Sequence, residues 1–498
     1  MVDCQGRYLL PGFVDGHIHL TSAALLVGAL DGSGLRTWAQ VVRAVADHVR
    51  HAPDRGWLIV HHLDLDAPGR APRALADLLD EAGRGRPVLL ADPSLHRGAA
   101  STTALSSLVL SGVPRHDLPR GVGGGLLYEA AFSRAWGRAL RDRVLQVEEA
   151  LDGVSARLLQ AGVTRVHEPG VTVAQAAALT RLAERVPLRV SWSLAEPSGL
   201  FDPVGPQTVA AVDGAGATGV KLFLDGGHRC AVCLPAAAAL RSLRGTALAS
   251  LRSGSAAPWN ALAAIRPRLA GAHTHSGDLR TTDDRVREVA DGLGDERLLR
   301  VHAMGNRAVN QATRVLRGRP AILEHALALG PREVERLASS GLAVNTQPGF
   351  LAGYGQTIRE RGVEPDLRVL PLRDLTDAGV PLALSSDYPC GPLDPLHNLR
   401  SAVTRRTTDG RELGADQRLT SAEALWAAGP AGARQLGEGA VGLEPGAPAD
   451  LVLCDGHPVS PSARVRETYV GGARAWPHGT GRTVYPFRGP SERVLHHP

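Results

Sequence analysis

Eight short apolar runs recur along this chain, each ending in polar or titratable residues and separated by helical stretches. They cover residues 12–19, 164–168, 188–193, 220–225, 299–303, 321–325, 342–347 and 382–387. Short apolar runs alternating with helices indicate βα units that feed a parallel sheet. Eight of them suit a closed barrel, where chemistry sits at the C-terminal ends of the strands. The expected fold is therefore α/β, a TIM-like (β/α)8 barrel over residues 12–430. The run ends carry His17 and His19, His167 and Glu168, Lys221, His302, His325 and Asp387.

Residues 21–160 are far more than one crossover needs. They contain candidate strands at 57–62 and 87–91 and candidate helices at 38–49 and 144–160. This segment reads as an insertion or cap that shapes the pocket. The glycines at 121 and 123–125 form a loop without the Lys-Ser/Thr that a phosphate cradle requires. Beyond residue 430 the pattern turns to β. A turn and strand are expected at 446–453, and a hairpin at 465–474 around Gly471-Gly472. Residues 1–11 and 431–476 are expected to form a small β appendage. The tail, 477–498, is rich in Gly, Pro and His and is expected to be disordered.

The hydrophobic fraction is 44% and the aromatic fraction 4%, so the core must be Ala, Leu and Val. The formal net charge of +5 is dispersed, with no Lys/Arg run of the kind that binds nucleic acid. No stretch approaches the ~18 apolar residues of a membrane span. The first residues show no secretory signal, so a cytoplasmic protein without membrane or nucleic-acid partners is expected. Five cysteines in 498 residues argue against a disulfide framework. Cys230 and Cys233 have CxxC spacing but no second pair.

Of the 55 Lys and Arg residues, one is lysine, Lys221. Arg-rich coding bias explains the scarcity but not the position. Two chemistries require lysine, because arginine stays protonated. One is a Schiff base with a carbonyl substrate. The other is capture of carbon dioxide as a carbamate, which converts the amine into a metal-binding carboxylate. The histidines favour the second. His17 and His19, two apart on a strand, face the same way, and imidazole is the commonest neutral ligand for zinc-like ions. Lys221, His302, His325 and Asp387 sit at the ends of other strands, so metal binding is expected.

The segments that carry these residues resemble the amidohydrolase superfamily. Residues 10–19 are similar to its first-strand motif. The segments 220–226, 302–309, 323–326, 346–348, 386–389 and 442–451 resemble its YtcJ-like, or type-3, branch, which includes N-substituted formamide deformylases. The resemblance implies two divalent metal ions, expected to be zinc. His17, His19 and Asp387 would hold one, His302 and His325 the other, with carboxylated Lys221 as the bridge. Asp387 and Lys221 are then the catalytic candidates, Asp387 taking a proton from the attacking hydroxide and returning it to the leaving nitrogen. The implied activity is hydrolysis of a non-peptide C–N bond in a small molecule. Deamination, ester or lactone hydrolysis, and a silent scaffold remain alternatives, and a homodimer stays open.

Three features depart from the branch's pattern. A β-sandwich formed with the appendage is expected to be partial. Asn306 stands where the motif carries Asp. The segment 226–230 differs from the usual small-residue run, so altered substrate contacts are expected there. His96 matches a histidine of the branch's insertion and is a candidate substrate contact, as are Asp225 and Asn306. His167 and Glu168 are candidates to support the metal shell or to orient a loop. His273 and His275 read as part of a Gly-rich loop, solvent-exposed or at most on the substrate side. His61-His62 and His496-His497 read as ordinary.

Overall fold

The computed structural model describes residues 4–477 except 52–55, 69–70, 73, 119–124, 197–208, 255–256, 362–365 and 438–441. The glycine loop at 121–125, Gly125 apart, and the tail beyond Pro477 lie outside the described residues.

All eight apolar runs form strands of one parallel sheet. They are β1 (Phe13–Asp15), β2 (Val163–Val171), β3 (Arg189–Ala195), β4 (Gly219–Phe223), β5 (Leu298–Gly305), β6 (Ala321–Leu329), β7 (Ala343–Thr346) and β8 (Leu382–Leu384). Each pairs in parallel with its neighbour in chain order from β1 to β8. Strands covered by helices outside and packed side chains inside read as near-continuous apolar runs, and every residue of β4 is buried.

Segments beyond the strand ends close the seam between β8 and β1. Asp387 N–H donates to the His17 carbonyl (2.8 Å) and His19 N–H to the Tyr388 carbonyl (2.9 Å). Below them the buried Asp15 carboxylate accepts from Ser386 N–H (3.0 Å) and Ser386 Oγ–H (2.5 Å). Burial pushes the Asp15 carboxyl up to about 6, against the pull of these hydrogen bonds.

The segment after β1 builds its own sheet from Leu30–Asp31, Leu58–His61, Val88–Ala91, Arg97–Ala100 and Leu126–Tyr128. Its first three strands are parallel and the remaining pairs antiparallel. Alternation along the strands divides its two faces. Leu58, Val60, Val88 and Leu90 pack beneath the helices Trp38–His51 and Leu75–Ala82. Ile59 and Leu89 face the other way and join the main core with Phe132 and Trp136 of helix Glu129–Asp142.

The C-terminal residues return to the start of the chain. Tyr8–Pro11, Leu451–Asp455, Arg464–Val470 and Ala473–Trp476 form one four-stranded antiparallel sheet. Its hairpin turns through Gly471 and Gly472, at φ +57° and +81°. His273 and His275 depart from expectation. They lie not in a loop but in the strand His273–Ser276, the centre of a three-stranded antiparallel sheet between β4 and β5. Strand pairing partners, rather than local glycine content, decided that segment. No described helix is long and apolar enough to cross a membrane.

Ser386→Ala should expose how much the seam depends on Asp15. It leaves a buried carboxylate oxygen short of a donor, which costs about 1–3 kcal/mol. Urea unfolding should show the loss with an unchanged m-value.

Candidate functional site

The end of β1 turns two imidazoles into the barrel mouth. His17 is buried, and its ring centre lies 5.2 Å from that of His19. His17 Nδ1 bonds Glu324 Oε2 at 2.7 Å. The other oxygen of Glu324 accepts from Arg300 Nη1 at 2.6 Å, and both of these side chains are fully buried. The carboxylate fixes the tautomer: the proton sits on Nδ1 and the lone pair of Nε2 faces the mouth. His17 Nε2 lies 3.4 Å and His19 Nε2 3.1 Å from Asp387 Oδ1.

The ends of β5 and β6 supply the opposite wall. His302 Nδ1 and His325 Nε2 face each other at 3.0 Å. Gln347 holds His325 Nδ1 through its carbonyl oxygen at 2.8 Å, and its own amide donates to Ser385 Oγ at 2.9 Å. His325 (φ +81°) and Asp387 (φ +53°) adopt left-handed backbone. Such residues cost of order 1–3 kcal/mol each and persist where surrounding structure demands them. Here the turn swings each side chain off the strand direction and into the mouth. One donor atom from each of His17, His325 and Asp387 lies within 4.8 Å of the others. His325, expected beside His302, thus also stands with His17 and Asp387, and the donors form one contiguous group.

Burial sets the charges. It lowers the pKa of His17, takes His302 well below the usual imidazole range, and brings His325 down to about 3. All three are neutral at pH 7, the form that binds metal. Burial opposes ionisation of Asp387, but His17, His19 and His325 outweigh it and hold the carboxyl well below its usual range. Lys221 is 1% exposed, and its Nζ has no hydrogen-bond partner. Burial, partly offset by Glu324 and Asp387, drops its amine to about 8. An orphaned buried amine is costly. Asp387 Oδ1 likewise has no hydrogen bond of good geometry. These atoms fit a site that a metal and a carboxylated lysine would complete.

A cleft of about 920 Å³, counting its open mouth, rises above these groups. Barrel residues line its floor, and Leu95, Trp136 and Leu140 of the insertion form an apolar wall. His96 also lines the cleft, its ring 5.5 Å from that of His302. Its Nδ1 bonds the buried carboxylate of Glu129 at 2.8 Å. Burial disfavours the charged imidazole, but Glu129 outweighs it and raises the His96 pKa. Gly226 and Gly227 make room for this pair. A Cβ on Gly226 would stand 2.4 Å from the Glu129 carboxylate, and one on Gly227 2.4 Å from the His96 ring.

Two expected substrate contacts are placed elsewhere. Asp225 is fully buried and accepts from Met304, Gly305 and Ala231 N–H, fastening the loops behind His302. Asn306 pairs through its amide with both backbone groups of Cys233 (2.8 and 3.0 Å) and is not among the residues lining the cleft. Local sequence could not show which way these side chains turn. His167 is held between Ser191 and Ser193 of β3, whereas Glu168 lines the cleft and accepts from Thr21 N–H and Oγ–H at the start of helix Leu20–Leu25. Glu324, Arg300, Gln347 and Glu129 were missed. The first three sit beside or between the motif residues, whereas Glu129 meets His96 only through the tertiary fold.

The sequence profile of the amidohydrolase family matches residues 1–475. The chain is 28% identical to N-substituted formamide deformylase of Arthrobacter pascens, over 95% of this chain and 89% of that one. It is 24% identical to the LONG AFTER FAR-RED 3 protein of Arabidopsis thaliana, over 96% of this chain and 83% of that one. An uncharacterised metal-dependent hydrolase of Pyrococcus horikoshii shares the fold, with a TM-score of 0.69 at 22% identity over 92% of this chain and 88% of that one.

The buried lysine makes a stability prediction. Its amine falls from 10.5 to about 8 on folding, so the unfolded chain binds the extra proton between those values. Stability should rise with pH across that window, and the full cost, about 3 kcal/mol, is present below pH 8. Metal-free Lys221→Met should therefore be more stable than the parent at pH 7, with the gain fading toward pH 10.5 in urea titrations.

Proposed function

Because the chain belongs to the amidohydrolase family, we propose that it hydrolyses a non-peptide C–N bond, an amide or formamide, in a small molecule with an apolar substituent on nitrogen. One observation carries this reading: a buried amine without a hydrogen-bond partner, Lys221, in a site ringed by neutral imidazoles and an ionised carboxylate. The named activity of the Arthrobacter pascens relative supports the substrate class. The wall of Leu95, Trp136, Leu140 and Phe223 supports an apolar substituent.

Lys221, poised near neutrality, adds carbon dioxide at Nζ with loss of a proton and becomes a carboxylate. That carboxylate, with His17, His19, His302, His325 and Asp387, would hold a pair of divalent ions, zinc by donor chemistry. When bound, such ions lower the pKa of water toward ~7 and polarise a carbonyl. Glu324 and Gln347 keep the His17 and His325 lone pairs facing inward. Asp387, ionised, accepts a proton as water adds to the acyl carbon, and releases it to the nitrogen as the C–N bond breaks. The products are a carboxylic acid and an amine. His96, anchored on Glu129, contacts the substrate from the insertion side.

Chelation should abolish turnover of N-substituted formamides, and divalent ions should restore it. Lys221→Arg should be inactive, since a guanidinium cannot form the carbamate; full activity in that variant would overturn the reading. Asp387→Asn should lower kcat by about 10²–10⁴-fold. Trp136→Ala should raise KM for aryl-substituted amides far more than for N-methyl ones, with kcat nearly unchanged.

A further inference from the structure

Away from the barrel mouth, the described residues hold a second group of metal-capable side chains. Asp31, His61 and His62 of the insertion present donor atoms that all lie within 4.8 Å of one another. None of the three lines the cleft.

Two separate features of the backbone bring them together. Strands Leu30–Asp31 and Leu58–His61 pair in parallel with Asp31 directly opposite His61, locked by Gly32 N–H to the His61 carbonyl at 2.8 Å. Successive residues of a strand point to opposite faces, so His62 should turn away from His61. Instead His62 is left-handed, at φ +53°. That costs a residue with a Cβ roughly 1–2 kcal/mol. The turn lays the two rings 4.7 Å apart between centres, with Nδ1 facing Nδ1 at 2.5 Å.

The remaining contact of His62 sets its tautomer. Its Nε2 lies 3.3 Å from the Pro389 carbonyl. A carbonyl only accepts, so Nε2 carries the hydrogen and Nδ1 a lone pair. Metal-binding histidines are held in this way by an outer acceptor. Burial, reinforced by His62, brings His61 down to about 4, and burial lowers His62 despite the pull of Asp31. Both rings are therefore neutral at pH 7. A simple N–H···N bond would account for the facing nitrogens. Asp31 Oδ1 also accepts from Ser33 N–H at 2.9 Å, but neither bond accounts for the left-handed backbone that brings the second imidazole to the same point.

We propose that Asp31, His61 and His62 form a second site for a zinc-like divalent ion, with water as the fourth ligand. The N₂O donor set suits zinc over magnesium or calcium. At Zn–N distances of about 2.0–2.1 Å, ligands of a tetrahedral ion stand about 3.3 Å apart, so the rings would part by about 0.8 Å. The ion would fasten the first two strands of the insertion to each other. Through His62 and Pro389 it would also brace the segment that follows Asp387.

The test is zinc content per chain, by elemental mass spectrometry after reconstitution with zinc alone and gel filtration. Asp31→Asn and His62→Asn are compared with the parent; Asn tolerates the left-handed backbone. Each variant should hold one zinc fewer than the parent while remaining folded by circular dichroism. Equal zinc in all three proteins would overturn the site and leave a hydrogen-bonded imidazole pair. A second measurement needs no variant: zinc added to metal-free parent should slow amide exchange in peptides covering residues 30–33 and 58–63. Unchanged exchange there would also refute it. Asp387→Asn separates this site from the barrel mouth. It should lose zinc at the mouth and keep the insertion ion, so failure of either centre is read independently.

Discussion

The site depends on how the barrel closes. β1 and β8 are nearly 370 residues apart in sequence, yet Asp387 N–H reaches the His17 carbonyl and Ser386 caps the buried Asp15. This seam sets His17 and His19 against Asp387 at 3.4 and 3.1 Å. Without it the two histidines of the first strand would face open space. The left-handed backbone at Asp387 and His325 has the same consequence, turning each side chain across the mouth rather than along its strand.

Charge in the mouth is arranged so that the site stays ionised where it must and neutral where it must. Glu324 serves two partners with its two oxygens, His17 and Arg300, all three fully or almost fully buried. Such a network is weak evidence for stability, because desolvation offsets attraction. Its effect here is orientational: it chooses which ring nitrogen of His17 faces inward. Lys221 shows the opposite pattern. It is buried with no hydrogen-bond partner, a cost tolerated at functional sites where local rules are broken.

The insertion is a wall of the site as well as a decoration of it. One face of its sheet packs under its own helices and the other joins the barrel core. That sandwiching carries His96, Glu129, Trp136 and Leu140 over the barrel mouth. The paired glycines at 226 and 227 permit the approach, since any side chain there would collide with Glu129 or His96. The unusual segment after Lys221 is thereby explained by packing against the insertion.

Much of the molecule was legible in one dimension. Apolar runs of strand length, each ending in a titratable residue, located the eight barrel strands, because a strand buried on both faces has to be apolar throughout. The same runs led to His17, His19, His302, His325 and Asp387, which line the cleft, because strand ends are where a barrel exposes side chains; Lys221 lies within β4, buried below it. The sequence could not determine side-chain direction or long-range pairing. Asp225 and Asn306 turn to backbone partners instead of the cleft, and Glu129 meets His96 because Arg97 and Tyr128 pair on adjacent antiparallel strands. His61 and His62 looked ordinary because their convergence depends on one left-handed residue and on a neighbouring strand that supplies Asp31. Periodicity reports which residues are buried; only the closed tertiary structure decides which buried groups meet, because the energy of such meetings lies in contacts distant in sequence.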